Sequence, residues 1–416
     1  MNYRIWILIS LIVGSCQLEG EDNGQLYSTL NNTLECWKDV AIPYAQGYSI
    51  DTDGENIYVG GNKYSQNSNT FQKSNLYSFN NCGSKILDLG IFDDNETSLA
   101  ATFSYIKDFT IDNNNFIILK YSSAAINNVK KMDSEGNIQW EDNIPYSVEP
   151  FLVKNDSDNF FTFSDAQGNY GDNTEDNSTW GAFDILVKKY NQSGKVWSYQ
   201  IGSQTSVGNL NEGVNGADLD QNGNIYVLGT TNSDFSGLTF KTDDTDIIVF
   251  KLDSNGNQLW KKQFGTGSTD NPLLVKFNEN VNEVWIFASS SGDLDNDSNT
   301  STSMVFLIKI DTNGNEISRE AVFNGDNLSP KAIFPGVNQD YYIIGDINEN
   351  LFYQNDIFIK NISKTGKNQW TKILNLETID YARAGKVISN KIYIVGSVGE
   401  DLVVKRFDLN GNSDTN

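Results

Sequence analysis

Short apolar runs alternate with turn-forming residues along the chain, and residues 218–260 hold the clearest copy of this pattern. Two mainly apolar segments, at 225–229 and 246–252, adjoin Asn-Gly-Asn triplets at 222–224 and 255–257. An Asn-Gly step between β-branched and aromatic residues favours a hairpin, because the turn needs positive φ at its centre. The segment therefore predicts four short strands in two hairpins.

This two-hairpin unit recurs until the chain ends, with seven copies of each hairpin. The apolar runs are continuous, as in Ile-Tyr-Val, so both faces of these strands should be buried between neighbouring sheets. A tryptophan follows the second turn of four copies at nearly one offset. The second turns are centred on Gly83, Gly136, Gly194, Gly256, Gly314, Gly366 and Gly411, and the tryptophans are Trp140, Trp197, Trp260 and Trp370.

Four-stranded sheets that repeat at this period are typical of a β-propeller. We predict an all-β fold, a seven-bladed β-propeller of four-stranded blades, with six or eight blades as the alternatives. The last copy stops near Asn412 without its tryptophan strand, and residues 35–42, with Trp37, look like that missing strand. The N-terminal strand should therefore complete the last blade and close the ring.

The first residues predict export. Arg4 precedes an apolar run at 5–13 that is too short to span a membrane as a mature helix. The following Val-Gly-Ser-Cys, ending at Cys16, resembles the bacterial lipobox, which implies that Cys16 is lipidated. The alternative is an ordinary cleaved signal with an incidental cysteine. Gln17, where an Asp often marks inner-membrane retention, implies a lipid-anchored protein at the outer membrane or cell surface.

The predicted organisation follows from these features. Residues 1–15 form a lipoprotein signal peptide and residues 16–33 a flexible, polar tether. The propeller occupies residues 34–412, and residues 413–416 form a tail.

Composition narrows the range of functions. The formal net charge is −24, from 54 acidic and 30 basic side chains. This surface repels phosphates, so no nucleic-acid partner is predicted, and attachment to the membrane must come from the lipid. The chain has no histidine. Ser-His-Asp and Cys-His catalysis and His-ligated metal sites are therefore excluded.

The repeat resembles a known bacterial family. Residues 220–265 combine Asp-x-x-Gly-Asn-x-Tyr-Val-x-Gly, Thr-x-Ser-x-Phe spacing at 231–235 and a terminal Gly-x-x-x-Trp unit. This pattern resembles the SBBP β-propeller repeat, which implies the fold but no particular activity. Blades 1, 3 and 6 depart from it, with Leu87 where blade 1 should have tryptophan.

A weaker resemblance links residues 192–197 and 363–370 to the tryptophan-docking repeat of quinoprotein-like propellers, a class that includes quinone-dependent dehydrogenases. The chain lacks an adjacent cysteine pair and a conspicuous cluster of cofactor ligands. We therefore interpret the blade tryptophans, including Trp37, as packing residues, and we predict no organic cofactor.

One acidic loop is a candidate cation site. Asp293, Asp295 and Asp297 place three oxygen ligands at alternate positions, which suits Ca²⁺. Ser298 and Met304 stand where an EF-hand has glycine and glutamate, so the loop is not an EF-hand. A solvated acidic loop is the alternative.

Three insertions, at 165–183, 230–246 and 289–303, lie between the second and third strands of consecutive blades, so they should crowd one face of the disc. Loops on a rigid scaffold often carry binding sites. We predict a ligand surface there, with Trp180 as a candidate aromatic anchor. The alternative is tolerated insertion without function.

Cys36 and Cys82 remain after lipidation of Cys16. An exported protein can keep a disulfide, and Cys36 in the closing strand would neighbour Cys82 in blade 1. Such a bridge would latch the ring. Outer strands of neighbouring blades can also lie too far apart for it.

These features predict a monomeric, lipid-anchored protein whose propeller is a non-catalytic binding scaffold for an unknown protein or glycan. The alternative is a propeller enzyme that acts on glycans, as a hydrolase or lyase. The 54 acids make chance carboxylate pairs inevitable, so the sequence singles out no catalytic pair. A pair that converges in the central channel would favour the enzyme.

Overall fold

The computed structural model describes residues 37–64, 71–92, 104–112, 115–122, 127–145, 150–155, 159–174, 183–202, 212–234, 245–290, 292, 304–324, 328–336, 340–347, 356–374 and 380–413. These residues form seven separate sheets, which are the blades of a propeller. None of the described residues forms a helix with the length and apolar character needed to cross a membrane.

The blades follow one another in chain order, and each begins with its innermost strand. Blade 1 contains β2 (Ala45–Thr52), β3 (Ile57–Tyr64), β4 (Phe71–Phe79) and β5 (Lys85–Phe92). Blade 2 contains β6 (Ser104–Asp112), β7 (Asn115–Ser122), β8 (Asn127–Met132) and β9 (Ile138–Ile144). Blade 3 contains β10 (Phe151–Lys154), β11 (Phe160–Ala166), β13 (Asp184–Asn191) and β14 (Gly194–Ile201), with the short β12 (Asn173–Thr174) added parallel to β14.

Blade 4 contains β15 (Glu212–Leu219), β16 (Ile225–Thr231), β17 (Asp246–Leu252) and β18 (Gln258–Phe264). Blade 5 contains β19 (Asp270–Asn278), β20 (Glu283–Ser290), β21 (Met304–Asp311) and β22 (Glu316–Asn324). Blade 6 contains β23 (Leu328–Pro335), β24 (Tyr341–Ile347), β25 (Asp356–Ile362) and β26 (Asn368–Leu374). Blade 7 contains β27 (Asp380–Ile388), β28 (Lys391–Val398), β29 (Asp401–Phe407) and, as its outermost strand, β1 (Val40–Ile42).

Strand β1 closes the ring, as the sequence predicted. It pairs antiparallel with β29, and Val40 lies opposite Val404. Val40 and Ile42 are buried against blade 7, while Ala41 between them is exposed. The seven-bladed fold and its closure by the N-terminal strand are therefore confirmed.

The core is divided among the blade interfaces. The described residues form seven hydrophobic clusters, and each spans two neighbouring blades. The third strand of blade 4 is buried at every position. The continuous apolar runs of the sequence are explained by this geometry, because a strand between two neighbouring sheets buries both of its faces.

The Asp and Asn residues of the repeat form the hairpin turns. In the turn of β17 and β18, one carboxylate oxygen of Asp253 accepts the backbone N–H groups of Asn255 and Asn257 at 2.8 and 2.9 Å. Gly256 closes the turn with φ +85°, and the glycine alone has positive φ there. The same carboxylate contacts recur at Asp133, Asp220, Asp311 and Asp408. These acids therefore stabilise the turns of the repeat.

The blade tryptophans contact the turn of the following blade. The indole N–H of Trp260 donates to the Thr312 carbonyl at 3.0 Å, and that of Trp197 donates to Ser254 at 3.3 Å. Trp37 packs edge-on against Tyr393 at 5.3 Å between ring centroids. Trp140 donates to the Gln192 carbonyl, and the Trp370 ring lies against Gly411.

The glycine at the second turn adopts positive φ and, in some blades, leaves room for a tryptophan ring. A matched pair of variants separates these two roles. A methyl group added at Gly256 would lie 3.0 Å from the Trp197 ring. One added at Gly136, in the same kind of turn with φ +90°, would meet only Met132 at 4.0 Å. We expect Gly136→Ala to lower the free energy of unfolding by about 1 kcal/mol through backbone strain, and Gly256→Ala by about 2–3 kcal/mol. Denaturant titration measures both, and equal losses would contradict the docking role of Trp197.

Candidate binding channel

The seven innermost strands surround a central cavity of about 680 Å³, which takes lining residues from every blade. Side chains on these strands therefore face a common space although they are far apart in the sequence. A cavity of this size suits a small or oligomeric ligand.

A β-bulge interrupts six of the seven innermost strands at one position near the start of the strand. A bulge adds one residue that has no partner in the ladder and re-aims side chains around it. All six extra residues line the cavity, and we call them the bulge ring. They are Tyr48, Lys107, Asn215, Leu273, Lys331 and Arg383.

The bulge ring is chemically asymmetric. Lys331, Arg383, Tyr48 and Lys107 come from the consecutive blades 6, 7, 1 and 2 and form a basic arc. The Arg383 guanidinium lies 5.7 Å from the ring centroid of Tyr48 and 5.2 Å from that of Tyr381. Asn215 and Leu273, from blades 4 and 5, belong to the opposite, neutral side. Cation–π contacts hold the guanidinium in place, and no acceptor within the described part of the chain takes a hydrogen bond from it.

Aspartates near the channel link one blade to the next through hydrogen bonds. Each accepts a backbone N–H from the following blade, at distances of 2.7 to 2.9 Å. A carboxylate that accepts such charge-assisted hydrogen bonds is a strong structural clamp. The five pairs are Asp51 with Ile111, Asp108 with Leu152, Asp165 with Val214, Asp218 with Phe277, and Asp346 with Ala382.

The pKa values of two of these aspartates are shifted in opposite directions. Burial raises the pKa of Asp108, and hydrogen bonds from Ser49 and Leu152 only partly offset this. Burial also acts on Asp51, but the ion pair and hydrogen bond with Lys386 and the backbone N–H groups of Ile111 and Thr52 together outweigh it, so the pKa of Asp51 lies below its ordinary value. Asp51 therefore stays ionised, whereas Asp108 is easier to protonate.

The cavity lies toward the face from which the insertions leave. Asp165 and Thr230 line it, and each stands one residue before the end of the second strand of its blade. The insertions of blades 3 and 4 begin where those strands end. The cavity therefore lies toward the strand ends from which these two insertions leave, while the ligand surface on the insertions stays a prediction.

Several predicted site residues lie outside the described residues: Cys16, Cys36, Trp180, Asp293, Asp295 and Asp297. The lipidation site, the aromatic anchor and the calcium site stay predictions. Among the described residues, no group of three or more acidic or cysteine side chains could hold a metal ion.

Cys82 is disulfide-bonded, and its carbonyl accepts the N–H of Lys38 at 3.2 Å. The segment that follows Cys36 thus reaches Cys82, while the pairing itself remains a prediction.

Comparison with known proteins supports the fold. Residues 196–236 match a family model described as the SBBP β-propeller repeat, overlapping the copy that the sequence singled out. No curated protein matches the chain.

Solved structures are similar to this chain at very low identity. The post-proline cleaving enzyme from Rickettsia typhi aligns over 94% of this chain with a TM-score of 0.53 and 10% identity. The alignment takes in 55% of that enzyme, so this chain spans about half its length. The β-propeller domain of the trilobed protease from Pyrococcus furiosus has a TM-score of 0.51 at 7% identity, over 90% of this chain and 96% of that one.

The polysaccharide lyase Uly1 aligns over 96% of this chain and 95% of its own, with a TM-score of 0.51 and 8% identity. At these identities the similarity concerns the fold alone. The chain is a seven-bladed β-propeller that contains an SBBP-type repeat.

Proposed function

We propose that this protein is a non-catalytic binding scaffold, which holds a protein or glycan ligand where the channel cavity meets the insertions. The observation that carries the proposal is the use of the channel carboxylates. Asp108 and Asp165, the two that line the cavity, hold backbone N–H groups of different blades. The six residues of the bulge ring line the cavity, and none of them is a carboxylate.

A glycan-active enzyme is the second candidate. One observation favours it: Asp108 has a raised pKa and lies in a cavity beside Lys107. Perturbed carboxyl groups in clefts are candidate proton donors. The fold is also that of a polysaccharide lyase.

One experiment separates the two candidates. The purified protein is incubated with neutral, amino and uronate trisaccharides and with short peptides, and the retained ligand is analysed by mass spectrometry. The scaffold predicts a ligand recovered with unchanged mass. Shortened or unsaturated products that disappear in Asp108→Asn would establish the enzyme, and retention of no ligand would contradict the scaffold.

We also propose that the scaffold is a monomer anchored in the cell envelope by a lipid on Cys16, at the outer membrane or cell surface. Residues 13–16 support this because they resemble a lipobox. Lipidation there would anchor the protein, since multiple acyl chains give stable attachment to a membrane. Cys16→Ser should release the protein from the membrane fraction. Unchanged detergent partitioning of that variant would contradict the lipid anchor.

A further inference from the structure

The charge of the channel is opposite to that of the protein. The chain carries a formal net charge of −24. The cavity lining nevertheless contains three cationic and two carboxylate side chains, and all three cations belong to the bulge ring. With three cations against two carboxylates the lining is net positive, and its cations lie on one side, where a positive potential attracts anionic ligands. An anionic group is therefore attracted to the channel although the outer surface repels it.

The two carboxylates of the lining do not cancel this attraction. Asp108 accepts hydrogen bonds from the Ser49 hydroxyl at 2.5 Å and from the Leu152 N–H at 2.9 Å. Asp165 accepts the Val214 N–H at 2.8 Å. These hydrogen bonds hold both carboxylates at the blade interfaces, and the lining still has three cations against their two charges. The extra residue of each bulge, in contrast, stands outside the ladder.

Arg383 is the best-placed donor of the basic arc. Its guanidinium is held by the Tyr48 and Tyr381 rings, and among the described residues none accepts a hydrogen bond from it. A guanidinium presents five N–H donors in a planar fork that matches a carboxylate. Lys331, in the preceding blade, lies 3.7 Å from Asp346, and its side chain keeps 37% of its surface exposed. It can therefore assist at the same anion.

The rest of the lining favours a sugar over a peptide. Asn215, Thr230 and Ser329 offer hydrogen-bonding groups opposite or beside the basic arc, and Leu273 offers a small apolar surface. A peptide that binds as an added strand needs a regular sheet edge. Six of the seven inner edges are bulged instead, which disrupts the ladder at the cavity.

We propose that the channel binds a uronate-containing oligosaccharide, whose carboxylate pairs with Arg383 and Lys331 while Lys107 supports it from blade 2. The inference rests on the proposed scaffold function and names its ligand class. The sugar hydroxyls face Asn215 and the other neutral residues of the lining.

Calorimetric titration with trigalacturonate tests this inference, and its fully methyl-esterified form serves as the uncharged probe of equal length. Wild-type protein should bind the acid at least tenfold more tightly than the ester. Arg383→Gln should weaken binding of the acid at least tenfold, and Arg383→Lys should weaken it less, because it keeps the charge but loses the fork. Lys262→Gln removes an exposed lysine from an outermost strand and should change the affinity less than twofold. Circular dichroism of each variant verifies the fold.

Other outcomes would overturn the inference. These are equal binding of acid and ester, an unchanged affinity in Arg383→Gln, an equal loss in Lys262→Gln, or binding of a peptide carboxylate in place of the sugar. If trigalacturonate fails to bind while another ligand is retained unchanged, the inference fails and the scaffold stands. If trigalacturonate binds through Arg383 and is cleaved, the scaffold fails and the ligand class stands.

Discussion

Val40→Asp is expected to lower the free energy of unfolding by about 3–5 kcal/mol, because it places an unpaired carboxylate inside the closing blade. Val40 is 8% exposed and belongs to the cluster that contains Trp37, Tyr393 and Val404. The lost apolar burial accounts for about 1.5–3 kcal/mol of this total. Since domains are stable by only about 5–15 kcal/mol, the ring should open or unfold well below the wild-type midpoint. Denaturant titration followed by tryptophan fluorescence measures the loss.

Ala41→Asp is the matched control for this experiment. Ala41 belongs to the same strand and lies opposite Val403, but its side chain is exposed. The same carboxylate should therefore change stability by less than about 0.5 kcal/mol. If the two variants lose the same stability, the alternation of buried and exposed side chains along β1 does not explain the effect at Val40. A silent Val40→Asp would show that the ring does not depend on this strand.

Cys82→Ser is expected to lower the free energy of unfolding by about 2–4 kcal/mol, because it removes a cross-link that restricts the unfolded chain. Cys82 is disulfide-bonded and lies in the turn of blade 1, next to the segment that leads into β1. We predict Cys36 as its partner, so the bridge would join the closing segment to the first blade. The loss should appear equally in wild-type protein treated with a reductant.

A double-mutant comparison identifies the partner. Cys36→Ser alone should cost as much as Cys82→Ser, and the double variant should lose no more than either single one, because all three break the same bond. If Cys36→Ser keeps the wild-type stability under oxidising conditions, Cys36 is not the partner. The only other cysteine in the chain is Cys16.

The blades and their closure could be predicted from the sequence because they depend on strong local patterns. A third strand such as β17 contains the apolar run 247–250, and it is buried at every position. The Asp253 to Asn257 turn has its own hydrogen bonds within five residues. The segment with Trp37 could be placed in the last blade because that blade lacked one strand.

The channel could not be predicted, because its residues belong to the weakest strands. A bulge shifts the alternation of side chains by one residue, so Lys331 and Arg383 break the period that identifies a strand. The carboxylate clamps join residues far apart in the chain: Asp51 and Ile111 are separated by 60 positions. No local pattern reveals such a pair. The sequence did contain one local sign of the bulge positions: a basic residue precedes alanine in Ala382-Arg-Ala384 and in Pro330-Lys-Ala332.

The bulges give the channel a modular chemistry. Because the extra residue pairs with nothing in the ladder, exchanging it leaves the register on either side unchanged. The ligand preference that we propose for the channel can therefore change one blade at a time, without repacking the interfaces that hold the disc together. Related propellers with the same bulges would differ in their ligands through these few positions. The six residues could also be substituted one at a time to design a new binding preference.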